Sequence, residues 1–171
     1  MEEAQELFRQ QKWEDAARVL SQIVREDKDN AQAWFQLGYS LHVSGDLEKA
    51  IEAHRRAVEL TKAGDQLHYL GLYNLGCAYA LEGKKDEAFE ALMRAAASGF
   101  SRPENLRHVA QDSDLDGLRD DPRFAAFVAS MRFHGRDETL RRFDFWIGSW
   151  DVYNRDGRLV GHNTIEAIEG G

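Results

Sequence analysis

The chain has 171 residues, 43% hydrophobic and 30% charged, a balance that fits a folded globular protein and excludes disorder. Its 22 Lys and Arg against 30 Asp and Glu leave a formal net charge of -8, which argues against a nucleic-acid backbone or an anionic membrane surface as the main partner. The lone cysteine, Cys77, excludes an internal disulfide and a multi-cysteine zinc site, and the longest stretch free of charged residues and histidine, Tyr69 to Leu81, falls short of the roughly 20 apolar residues of a bilayer span.

In chain order, Glu2 to Gln10 reads as a helix carrying Leu7 and Phe8, and Trp13 stands at an apolar turn position before AARVLSQIVRE. Asp27-Lys28-Asp29-Asn30 is a polar turn able to cap the next helix. Trp34 to Leu60 reads as two amphipathic helices meeting at Gly45-Asp46. Trp34, Leu37 and Leu41 have the spacing of a buried stripe. Gly38 lies on the same face and admits a close neighbour. Ala50, Ala53, His54, Ala57 and Val58 continue the periodicity. About 34 residues earlier, Ala16, Leu20 and Ile23 stand opposite Ala50, His54 and Ala57. Further on, Leu72, Leu75, Gly76 and Tyr79 stand where Trp34, Leu37, Gly38 and Leu41 stood, and Ala88, Leu92 and Ala95 follow. The second offset is longer by four residues, which fall in Thr61 to Gln66. Gly64 is a candidate C-cap and Asp65 a candidate N-cap there, and one added helical turn is expected at the start of the third unit.

After Gly99, Ser101 and Glu104 have capping-box spacing, with Pro103 in the first turn. Ser113 opens a short turn carrying Leu115 and Leu118. Asp121-Pro122 starts a helix with Phe124, Phe127, Val128 and Met131 on one face. From Arg132 the texture turns polar. Leu140, Phe143 and Trp146 have the spacing of one helical turn. Ser149 to Asn154 and Arg158 to Ile168 then read as strands around Asp156-Gly157, a strong hairpin signal.

The pattern W-x-x-L-G, a small turn, then small residues about a large one closely resembles the tetratricopeptide repeat. The resemblance implies a mainly α fold: a right-handed α-solenoid of antiparallel helix pairs with three repeats (1–29, 30–65, 66–98) and capping helices over 99–131. The first repeat begins inside its first helix, either because the domain starts raggedly or because a preceding segment, such as a signal peptide, is absent. The compartment is unknown on this reading: cytoplasmic by default, periplasmic or secreted if a signal precedes Met1. After a linker at 132–142, residues 143–171 resemble the first hairpin of lipocalin-like (calycin) β-barrels of bacterial proteins, through Gly148-x-Trp150 and the Gly157 to Gly161 hairpin. A barrel needs about eight strands, so this segment is expected to be a truncated β-hairpin.

Tetratricopeptide repeats bind other proteins, and the resemblance implies a non-catalytic scaffold that holds a partner segment in a concave groove. By matching, the groove residues are Gln32, Phe35, Tyr39 and His42 in the second repeat, and Leu70, Tyr73, Asn74, Cys77 and Leu81 in the third. Aromatic rings suit apolar side chains of a bound segment, and an Asn amide suits an extended backbone. The alternative is that these residues pack on the chain's own C-terminal tail or on a second copy. Self-association through the groove or the hairpin belongs to that reading. Repeats that grip chaperone carboxylates carry an Asn where Tyr39 and Cys77 stand here, so that function is not expected. A different class of function is a small-ligand-binding or enzymatic barrel that the repeats position.

No cofactor is expected, and no metal site. Asp112-x-Asp114-x-Asp116-Gly117 copies the first half of an EF-hand loop, but Arg123 occupies the place of its bidentate Glu, so calcium is not expected. The histidines contain no H-x-x-x-H or H-E-x-x-H pair. His54 is read as packed in the core, His42 as groove-lining, and Cys77 as an inert buried thiol. No phosphate-binding glycine loop or nucleophile elbow is present, and the chain is not expected to be an enzyme.

Overall fold

A computed structural model describes residues 1–134, 148–153 and 159–165. The chain divides into two units, Met1–Gly135 and Arg136–Gly171.

The first unit is helical. Its first six helices are α1 (Glu2–Arg9), α2 (Trp13–Glu26), α3 (Ala31–Val43), α4 (Leu47–Glu59), α5 (Gln66–Leu81) and α6 (Lys85–Ala97). They pair as α1 with α2, α3 with α4 and α5 with α6. The same turn closes each pair. Lys12, Asp46 and Lys84 each donate a backbone N–H at 2.9 Å to the carbonyl five residues earlier, of Leu7, Leu41 and Tyr79. This is the helix-terminating bond that needs a left-handed residue just before the donor. Gly45 and Gly83 supply it with φ of 83° and 73°, while in the first pair Gln11 adopts φ of 56°, a conformation unfavourable for a residue with a Cβ. Helix α5 has 16 residues against 13 in α3, and the extra residues follow the left-handed Gly64 and the N-cap Asp65.

Small residues let the paired helices approach. A Cβ on Gly38 would lie 2.6 Å from His54 Nδ1, and one on Gly76 would lie 2.7 Å from Leu92 Cγ. Ala4 holds the matching place in the first pair and is buried. Caps follow the local chemistry: Asn30 Oδ1 accepts from the Ala33 amide at 3.0 Å, and Asp46 Oδ1 from Lys49 at 3.4 Å.

Helix α7 (Pro103–Gln111), a 3-10 turn (Ser113–Leu118) and α8 (Pro122–His134) follow. The capping box expected at Ser101 is not made: Arg102 is the N-cap, without a side-chain bond, and Pro103 opens the helix. Ser101 is instead buried. These elements share one core with the third pair, in which Phe100, Val109, Leu115, Leu118, Phe127 and Met131 join Leu72, Phe89 and Leu92. Arg123 fastens α8 to α6. Its guanidinium bonds Asp86 at 2.6 Å and lies 4.4 Å from the centre of the Phe89 ring. A second core at the N-terminal end joins Ala4, Leu20, Val24, Ala33 and Leu37, with Trp34 partly buried against it. The Trp34 indole N–H donates to the Lys28 carbonyl at 2.8 Å.

In the second unit, β1 (Gly148–Tyr153) and β2 (Leu159–Ile165) pair antiparallel, with Gly148 opposite Ile165 and Trp150 opposite Asn163. The register slips between Val152 and Tyr153. The expected helical turn at Leu140, Phe143 and Trp146, most of the expected linker and the Asn154 to Gly157 turn lie outside the described residues.

Candidate functional site

The nine residues matched to a groove lie on α3 and α5, but they divide into two environments. Around the third pair, the chain's own 3-10 turn crosses the face. Asp112, at the junction of α7 and this turn, is the hub. Its Oδ2 accepts from the Tyr73 hydroxyl at 2.6 Å and from the Cys77 thiol at 3.8 Å. His108 Nε2, one helical turn earlier, lies 3.3 Å from the same oxygen. Asp112 Oδ1 accepts from the Asp114 amide at 3.1 Å, and the Asp112 carbonyl accepts from Arg119 at 2.8 Å. Asp114 reaches the second repeat, where His42 Nε2 lies 2.8 Å from its Oδ2. The Tyr73 ring stacks on Phe100 with centroids 4.2 Å apart.

Tyr73 and Cys77 are therefore buried. Burial pushes the Tyr73 hydroxyl far above its ordinary range, helped by Cys77 and by the bond to Asp112. Burial also raises the Cys77 thiol, and the charges of Asp112 and Asp114 push the same way. Both groups stay protonated at neutral pH, so neither is a nucleophile. What remains open here is a cleft of about 210 Å³ lined by Tyr39, His42, Asn74, His108, Asp112 and Asp114, among others. Leu81, at the far end of α5, is 46% exposed, and Leu70 packs against the C-terminal core.

Over the first two pairs no such cover lies among the described residues. Tyr39 is 38% exposed. It meets Phe8 and Trp13 in a three-ring cluster, with centroids 5.0 to 5.5 Å apart. Beside the cluster, Gln5, Phe8, Arg9 and Gln36 line a wide depression of about 530 Å³. Gln32 is exposed, and Phe35 is half-buried with its ring 6.1 Å from that of His54. His54 is fully buried between Gly38, Phe35 and His42. Neither of its ring nitrogens has a hydrogen-bond partner among the described residues. Burial, with a smaller push from His42, lowers its pKa to about 3, so it is a neutral core group.

Sequence reasoning missed Phe8, Trp13, His108, Asp112 and Asp114 as parts of this face. Phe8 was within reach, because it stands about one repeat before His42. The acidic residues were not, because their partners are dozens of positions away and nothing local announces the pairing. A further groove, also missed, lies between α4 and α6. It has a volume of about 470 Å³ and is lined by Arg55, Glu59, Glu87, Glu90 and Arg94 about Tyr79, whose hydroxyl accepts from Arg55 at 2.7 Å.

One tetratricopeptide repeat profile matches residues 1–66 and another residues 71–97. No curated protein matches the chain. Among solved structures, the fold is similar to that of MamA, with a TM-score of 0.61 and 19% identity over 77% of this chain and 73% of that one.

Proposed function

Because this chain carries tetratricopeptide repeats over residues 1–66 and 71–97, we propose that it is a non-catalytic protein-interaction scaffold that holds a partner segment along the α1–α3 side of its groove. The ring cluster of Phe8, Trp13 and Tyr39, in which Tyr39 is exposed and the other two rings are partly buried, carries this reading. Aromatic anchors with a polar rim are what a binding hot spot requires, and Gln5, Arg9, Gln32 and Gln36 supply the rim. Asn74 and Leu81 extend the surface, while Tyr73 and Cys77 form its floor beneath the cap. The test is a peptide selected from a random library against the full chain. Tyr39→Ala is expected to weaken it at least tenfold, the loss of one anchor of about 1.4 kcal/mol or more, with the helical content retained. Met93→Ala, at an exposed position of α6, is the neutral control. Equal affinity in wild type and Tyr39→Ala excludes this surface.

The second reading concerns residues 143–171. It is a lipocalin-like segment that the repeats position, of which the antiparallel pairing of β1 with β2 would be the opening hairpin. Expression of the natural gene to its stop codon, followed by mass measurement and circular dichroism, tests it. An added β signal equivalent to about six strands supports the barrel, and its absence removes it.

A further inference from the structure

The cap hub brings together a donor set that no one segment contains. Cys77 Sγ on α5 and one carboxylate oxygen each from Asp112 and Asp114 all lie within 4.8 Å of one another. Two imidazoles flank them, His108 at 3.3 Å from Asp112 and His42 at 2.8 Å from Asp114. All five side chains line the same cleft of about 210 Å³. We infer that this cleft is a site for a divalent transition metal of the zinc class, with Cys77, Asp112 and Asp114 as ligands and His108 as the fourth.

The spacing fits. Zinc holds sulfur at about 2.3 Å and nitrogen or oxygen at about 2.0–2.2 Å in a tetrahedron, so donors across such a site stand roughly 3.3–3.7 Å apart. The separation of Cys77 Sγ from Asp112 Oδ2 is 3.8 Å, and that of His108 Nε2 from the same oxygen is 3.3 Å. His108 is exposed, stands one turn before Asp112 and lies beside its Oδ2, outside the three-residue donor set, so it would have to turn toward Cys77 and Asp114 to serve as the fourth ligand. The closer pairs suit supporting roles. The Tyr73 hydroxyl at 2.6 Å from Asp112 and His42 at 2.8 Å from Asp114 would orient the two carboxylates, as partners of metal ligands commonly do.

The chemistry selects the metal. Thiolate with imidazole and carboxylate suits zinc or cobalt and disfavours calcium or magnesium, which take oxygen ligands in larger numbers. On binding, the Cys77 thiol gives its proton to solvent and its sulfur bonds the metal. Bound metal would join α5 to the 3-10 turn and to the end of α7, and so lock the cap over the third repeat.

The test uses the full chain without a histidine tag and Co²⁺ as the probe. Wild type is expected to bind one equivalent with a thiolate-to-cobalt charge-transfer band, which Zn²⁺ displaces. Cys77→Ser is expected to lose the band, and Asp114→Asn to weaken binding tenfold or more. Asp114→Asn conserves shape at a partly exposed position, so it decides the matter if Cys77→Ser fails to fold. A folded wild type without the charge-transfer band overturns the site, as does an unchanged affinity in Asp114→Asn.

Discussion

At the residue scale, the pairing of Gly38 with His54 shows how one missing side chain sets the interior. His54 is completely buried and occupies the space that a Cβ at Gly38 would enter. Ala raises helix propensity over Gly by up to about 1 kcal/mol, whereas overpacking a tight core costs about 1–3 kcal/mol. The ring is completely buried and a Cβ would sit within 2.8 Å of three of its atoms, so overpacking is expected to win and Gly38→Ala to lower the urea midpoint. The same burial makes stability depend on pH. The folded-state pKa of His54 is lowered from 6.5 to about 3, so between those values the unfolded chain binds the extra proton. Stability attributable to this group is whole above pH 6.5 and declines as pH falls towards 3, by up to about 1.4 kcal/mol per pH unit. Urea midpoints at pH 7.5 and 5 should differ in wild type, and the difference should shrink in His54→Leu.

At the scale of elements, the cap does two jobs that pull on different groups. Phe100, Val109, Leu115, Leu118, Phe127 and Met131 extend the core of the third repeat, which supplies the closure an α-solenoid needs at its end. The Asp112 hub then holds the 3-10 turn against α5. Tyr73→Phe keeps the ring stacked on Phe100 but removes the 2.6 Å hydroxyl bond to Asp112. A bond to a charged group contributes about 1.5–3 kcal/mol. The loss is expected to appear as faster amide exchange in Ser113 to Leu118, with α1 to α3 unaffected. Uniform acceleration along the whole chain would mean that the cap does not open separately.

At the scale of the whole molecule, the two described cores draw on residues between Ala4 and Met131. A two-stranded sheet is marginal in water without a second layer. Ending the chain at Gly135 is therefore expected to leave the helical melting temperature within about 3 °C of wild type, since a shift of that size corresponds to less than 1 kcal/mol for a domain of this length. A larger fall would show that residues 136–171 stabilise the helices.

What the residues determined by themselves was whatever repeats. The three helix pairs, their turns and the close approaches at Gly38 and Gly76 are local patterns, each written within one repeat and copied into the next. Their periodicity is visible because the same packing problem is solved three times. The burial of His54 followed from its place on a helix face. Only the tertiary structure decided what happens on the groove side. Asp112 and Asp114 resembled half of a calcium loop because sequence reading sees neighbours in the chain. In space they face Tyr73, Cys77 and His42, which lie 35 or more positions away. No period links the two segments, so the contact that covers Tyr73 and Cys77 emerges only when the chain has folded back on itself.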